Sequence, residues 1–301
     1  MMATLDGARK PWTAEKLWPL VVHLRLHFQL LLAPVFLWGW LVAGGGWSAS
    51  ILIAFLAFHV FLYAGATAFN SYYDRDQGPV GGLEHPPAGV SALLPVSLGI
   101  QLAGWLLAAL VNLPFFLIYA AFGLLSIAYS HPRLRLKARP LASLATVALG
   151  QGVLAYLGAW AAARGELSSA LSPLGILGAT AATLLILALY PLSQLYQIQE
   201  DGARGDRTPA VAWGAPRCFQ IALACQLIGG TAMLSVVARR DGPLDALIVG
   251  LGLAAQLAAV AWWARHHDPR DVLGSYHRVM RLNALSASGL SAYLLLRLVQ
   301  P

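Results

Sequence analysis

Residues 51–76 read ILIAFLAFHVFLYAGATAFNSYYDRD, a long apolar run that ends, within about one helical turn, in Asn70, Asp74, Arg75 and Asp76. The apolar part is about 20 residues, the length that crosses roughly 30 Å of hydrocarbon as an α-helix. On such a helix His59, Tyr63, Ala66 or Thr67, Asn70 and Asp74 fall on one face. A polar face is unstable against lipid and has to look into protein or a wet cavity. The stretch therefore predicts a membrane-spanning helix that carries an amide and a carboxylate into the interior of a bundle.

The rest of the chain agrees with that reading. Of 301 residues 58% are hydrophobic and 11% charged, where a soluble domain carries roughly a quarter charged residues. Gly and Pro punctuate apolar runs and divide the sequence into spans near 17–42, 47–70, 91–111, 113–130, 139–163, 171–198, 215–238, 243–265 and 274–298. The fold class expected is an all-α, polytopic membrane protein of about nine transmembrane helices in a single bundle around a central cavity. Residues 1–16 are expected to be a cytoplasmic N-terminal segment and 17–301 one transmembrane domain. The first run follows Arg9, Lys10 and Lys16 without a small-residue cleavage site, so it reads as a retained helix.

Nine spans put the termini on opposite faces, and all Lys and Arg except Arg164, Arg239, Arg240 and Arg297 then fall on the N-terminal side. By the positive-inside rule that side is cytoplasmic. The location expected is the cell (inner) membrane, with the acid-bearing helix ends facing the cytoplasm. The net charge of +7 is then a topology signal that also suits anionic headgroups. No groove-reading motif or basic soluble domain points to nucleic acid. Cys218 and Cys225 stand seven positions apart on one span, about 10 Å by helical rise and too far for a disulfide.

A second segment, residues 190–208, YPLSQLYQIQEDGARGDRT, closes the sixth span in the same style. Tyr190, Gln194, Gln197 and Asp201 share a face, so Gln197 and Asp201 repeat the arrangement of Asn70 and Asp74. Carboxylates, carboxamides and guanidinium groups are what a Mg²⁺ diphosphate needs, because Mg²⁺ takes oxygen ligands, keeps waters and bridges to phosphate. Arginines hold the remaining phosphate oxygens in bidentate fashion. The plainer alternative is that Asp74, Asp76, Glu200 and Asp201 simply pair with Arg75, Arg204 and Arg207 at the membrane surface.

The two segments resemble the aspartate-rich signatures of the UbiA superfamily of intramembrane prenyltransferases. Asn70 to Asp74 is similar to the start of N-D-x-x-D-x-x-x-D, and Gln197 to Thr208 to D-x-x-x-D followed by x-x-x-G-x-R-T. Residues 129–137, YSHPRLRLK, resemble a third family segment that runs from Tyr to Leu-Lys. Three positions depart from the pattern: Ser71, Gly78 and Gln197 stand where the family has acids. The resemblance implies Mg²⁺ as cofactor, and a prenyl diphosphate, a hydrophobic aromatic or lipid-like acceptor and membrane lipid as partners. It also implies Asn70, Asp74, Gln197 and Asp201 as the catalytic set and Asp74, Asp76, Glu200 and Asp201 as metal ligands. Arg25, Lys137, Arg204, Arg207, Tyr129 and Tyr190 are implied as diphosphate-binding residues. Asp76, rotated about 200° from Asp74 on a continuous helix, joins only if the chain unwinds before Gly78, and Asp206, beyond Gly205, is expected to contribute less.

Two other readings compete. The same ionisation with the cation quenched internally describes a membrane terpene cyclase. A transporter or lipid-binding protein would place its charges at mid-depth rather than at one face. His266, His267, Asp268 and Asp271 form either a metal tract or, more simply, a solvated loop with helix-capping acids.

Overall fold

The computed structural model describes residues 14–300, with side chains from Leu17 onward. Most of the segment expected over 1–16, including Arg9 and Lys10, lies outside the described residues. Among the described residues eight helices are long and apolar enough to cross a membrane: α1 Leu17–Ala43, α2 Ala49–Asp74, α4 Leu113–Ser130, α5 Pro140–Arg164, α6 Pro173–Arg204, α7 Pro209–Arg240, α8 Pro243–Arg265 and α9 Val272–Val299. Between α2 and α4 runs the shorter apolar helix α3, Leu93–Ala108, which takes the place of the third expected span. The chain is an integral membrane protein of all-α architecture.

The helix starts follow local chemistry. Ser48, Asn112, Ser172, Thr208 and Asp271 each accept a backbone N–H from three residues ahead, which satisfies one of the donors orphaned at a helix N-terminus. Pro140, Pro173, Pro209 and Pro243 open their helices, where a missing N–H costs nothing. Asp271 is thus a cap, in line with the plainer reading of the 266–271 tract. Among the described residues no group of three or more His, Cys, Asp or Glu is arranged to hold a metal by protein ligands alone.

The interior is aromatic where the helices are furthest from the acids. Phe36, Trp38, Phe58, Phe115, Tyr119 and Tyr156 are almost completely buried in one cluster. Trp38 donates its indole N–H to Gly178 O at 2.9 Å, fixing α1 to α6. At Gly39 a methyl group would stand 2.4 Å from the backbone oxygen of Tyr156. Close approach of α1 and α5 therefore requires glycine there, since small residues let membrane helices pack backbone to backbone.

Four interruptions shape the acid-bearing end. α1 breaks at Arg25 (φ 49°). α2 contains a π-turn over Ala57–Leu62, and the extra residue shifts the phase of its polar face. His59 is consequently off that face, buried against Phe36, Phe55 and Tyr63. In α6 Pro191 cannot continue the α-helical ladder, and Pro191–Gln197 is a 3₁₀ helix. α7 bends at Gly214 (φ 73°), two residues before Pro216.

A cavity of about 800 Å³ runs from Asp74, Asp76 and Asp201 down to Trp38 and Met233. It is lined by α1, α2 and α4 to α9, whereas α3 stands outside it.

Candidate active site

Helix α2 presents Tyr63, Ala66, Thr67, Asn70 and Asp74 to the cavity. It stops at Asp74 because Arg75 adopts the left-handed conformation (φ 53°), uncommon for a residue with a side chain. That turn sends Asp76 back over the helix end, where it lines the cavity beside Asp74. The unwinding that Asp76 requires is therefore supplied at Arg75, three residues before Gly78. From α6 come Tyr190, Gln194, Gln197 and Asp201. The 3₁₀ period of three keeps Gln194 and Gln197 on one side, and the α-helical turn that follows brings Asp201 into line.

The acids of both segments meet on one guanidinium. Arg204 donates to Asp76 Oδ1 at 2.9 Å, to Asp201 Oδ1 at 2.8 Å, to Asp206 Oδ2 at 3.1 Å and to the backbone oxygen of Asp74 at 2.7 Å. Asp74 Oδ1 accepts from Arg135 at 3.2 Å, and Asp74 Oδ2 from Lys137. Arg135 also grips Asp206 in a two-pronged contact, 2.6 Å on each oxygen. Four carboxylates and three cations thus form one network. All four carboxylate side chains are at most 9% exposed.

Those contacts place several residues singled out in the sequence. Arg204 is not among the residues that line the cavity, and it ties the acids together. Glu200 is not beside the other acids: its carboxylate accepts the backbone N–H of Gln77 at 2.7 Å and of Gly78 at 3.3 Å. It anchors the loop after α2. Arg207 is exposed and off the cavity; its backbone N–H, at 3.1 Å from Ala138 O, is what ties it in. Asp206, expected to matter least, is 2% exposed and braces both Arg135 and Arg204.

Arg135 was missed as a site residue. Its one sequence signal is a basic residue two positions before Lys137. Like Arg25 and Arg75 it has a positive φ, 40°. The described non-glycine residues with positive φ are thus three arginines around the acids, and such strain persists where the surrounding structure imposes it.

Burial and the neighbouring Asp74 push the carboxyl of Asp76 above its ordinary range, against the pull of Arg204. Burial also raises that of Asp206, but hydrogen bonds and charge from Arg135 outweigh it and hold Asp206 below the usual range.

Facing the acids across the cavity mouth is Arg25, 4% exposed. It donates to Ser71 Oγ at 2.6 Å and to Gly81 O at 3.1 Å, and its Nε has no partner among the described residues. Tyr129 and Tyr190 also line the cavity. Their hydroxyls are 2.7 Å apart, and Tyr190 further binds Ser143 and the amide of Gln194. Asn70 donates to Ser130 Oγ at 2.9 Å. The loop over this end is held by His23 on Pro87 O, by His27 on Gly82 O, and by the pair of His277 with Glu84.

A helical bundle that gathers carboxylates, amides and cations at one end of an apolar chamber is the build of a membrane-embedded prenyltransferase. The chain belongs to the UbiA prenyltransferase family, whose model matches residues 31–285. Among solved structures it resembles the apo form of a UbiA homologue from Aeropyrum pernix K1, at TM-score 0.66 and 19% identity, covering 88% of this chain and 97% of that one. It also resembles a UbiA homologue from Archaeoglobus fulgidus bound to DMAPP and Mg²⁺, at TM-score 0.61 and 18% identity over 89% and 99% of the two chains. The same homologue bound to GPP and Mg²⁺ gives TM-score 0.58 at 19% identity, over 89% and 99%. No match is found among curated protein sequences.

Proposed function

We propose that this protein, with residues 17–301 as one catalytic domain, transfers the prenyl group of a prenyl diphosphate to a hydrophobic acceptor inside the membrane, with Mg²⁺ as cofactor. The observation that carries the reading is the convergence of Asp74, Asp76, Asp201, Lys137 and Arg25 at one end of a mostly apolar chamber. The relatives bound to DMAPP or GPP with Mg²⁺ support it.

The donor set suits Mg²⁺. Within the described residues every hydrogen bond to the carboxylates of Asp76 and Asp201 falls on Oδ1, which leaves Oδ2 of each for a cation that takes few protein ligands and completes its shell with water and phosphate. Asp76 and Asp201 would hold the ion, with Asp74 beside them. When bound, Mg²⁺ neutralises phosphate charge and stabilises the departing pyrophosphate.

Lys137, Arg25, Tyr129 and Tyr190 bind the diphosphate, and Asn70 and Gln197 orient it from the two stripes. The allylic C–O bond breaks, and its electron pair leaves with pyrophosphate. An electron-rich acceptor supplies the pair for the new bond and gives up a proton to pyrophosphate or water. The apolar side chains that make up most of the chamber wall exclude water from the cation.

Purified protein given a panel of prenyl diphosphates, Mg²⁺ and aromatic acceptors should release pyrophosphate and form a prenylated acceptor, and EDTA should stop both. Cyclised hydrocarbon or alcohol formed without acceptor would make it a cyclase instead. No pyrophosphate release from any donor would sink the reading.

We also propose that the acid-bearing end faces the cytoplasm at the cell membrane. In a variant lacking Cys218 and Cys225, a cysteine placed at exposed Arg270 should react with an impermeant thiol reagent only in inverted vesicles. Reaction in intact cells would reverse the orientation.

A further inference from the structure

The chamber below the diphosphate end carries polar groups that the reaction so far leaves unused. Gln151 on α5, Gln256 on α8 and Asn283 on α9 all line the cavity. They stand nine to eleven residues from the acid-side ends of their helices, about 15 Å by helical rise. Three separate helices thus bring a carboxamide to one depth, near the middle of the bundle.

These amides differ from three other carboxamides of the spans. Gln29 donates to Leu24 O and Thr67 Oγ1, Gln101 to Ser97 O, and Gln226 to Leu253 O. Gln151, Gln256 and Asn283 make no side-chain hydrogen bond within the described residues and open on the chamber. Each offers two N–H donors and a carbonyl acceptor. A prenyl chain has nothing to pair with them, and an amide left unpaired at mid-membrane is disfavoured. The ring therefore matches a ligand that carries oxygen at that depth.

Charge narrows the class. The ionised groups that line the cavity are Arg25, Asp74, Asp76, Lys137 and Asp201, all at its acid end. Lys137 is bound to Asp74, and with Arg25 it is claimed by the diphosphate. Among the described residues no cation faces the chamber at the level of the amides, so a carboxylate placed there would be desolvated without a counter-charge.

Resting on the prenyl-transfer reading above, we propose that the acceptor is an uncharged molecule of phenol or quinol type. Its nucleophilic side faces the diphosphate, and a hydroxyl or carbonyl on its far side is held by Gln256 and Asn283, with Gln151 opposite. The deep amides select the acceptor and leave the prenyl diphosphate untouched.

The test compares the wild type with Gln256→Leu and Asn283→Leu, which keep side-chain size and remove the hydrogen bonds. Steady-state kinetics use a neutral hydroquinone and its carboxylated counterpart as acceptors with one saturating prenyl diphosphate. The wild type should prefer the neutral acceptor, and each variant should raise its KM about tenfold, the equivalent of one lost hydrogen bond. KM for the prenyl diphosphate should change less than about twofold, because no contact to it is lost; that value also reports correct folding. An unchanged acceptor KM in both variants, or preference for the carboxylated acceptor, would overturn the inference while prenyl transfer stands. A wild type that releases no pyrophosphate would remove the prenyl-transfer reading and this one together.

Discussion

Asp201→Asn should reduce Mg²⁺-dependent prenyl transfer by at least about 10²-fold, the scale seen when one preorganised electrostatic contact is removed from an active site. The side chain keeps its size, so the change isolates charge. Asp201 is one of two acids with an oxygen left over from Arg204, and it lines the cavity. Asp76→Asn should match it, because the left-handed turn at Arg75 brings Asp76 to the same guanidinium. Asp74→Asn should be at least as damaging by another route: it removes the partner of Lys137 and a contact of Arg135. The measurement is pyrophosphate release against Mg²⁺ concentration. Full Mg²⁺-dependent rates in both the Asp74 and Asp201 variants would refute the site assignment.

Arg204→Gln should cost both stability and activity, though this residue faces no ligand. Three carboxylates and a backbone oxygen converge on it, and its side chain is 19% exposed. Stripping one partner from a buried ionic group costs about 3 kcal/mol, which should appear as a large fall in unfolding temperature in detergent. The pH dependence gives a second signature. Carboxylates left without Arg204 have carboxyl groups easier to protonate in the folded than in the unfolded protein. Protonation on lowering the pH then favours the folded form, and the deficit of the variant should shrink towards acid pH. A deficit that stays constant or grows as pH falls would show that the acids do not depend on this arginine.

The sequence made parts of this arrangement legible and hid others. The stripe ending in Asn70 and Asp74 and the counterpart ending in Gln197 and Asp201 follow from helical periodicity, and both face the cavity as read. Periodicity fails where the helix period changes. His59 left the stripe because of the π-turn at Ala57–Leu62, and nothing in its flanking apolar residues marks that turn. The sixth span, read over 171–198, runs through Pro191, where the helix tightens to a 3₁₀ turn over Pro191–Gln197. The pairing of Arg135 with Asp206 joins residues 71 positions apart, and no local pattern carries such a contact. Glu200 joins the expected metal ligands through the resemblance, as an acid shifted from the family's position. Neighbours on a helix point about 100° apart, and this one turned to the backbone of the loop after α2.

The chamber floored by Trp38 and Met233 has a consequence for selectivity among prenyl donors. A prenyl tail enters this protein from lipid, not from water, and moving it between two hydrocarbon surroundings yields little free energy. In bilayers a longer tail should therefore not bind more tightly because it is greasier. On the proposed function, affinity would be set at the diphosphate end, and tail length would be limited by where the chain meets the buried rings of Trp38 and its neighbours. The chamber would then act as a ruler, with partition between membrane and protein nearly indifferent to every tail that fits.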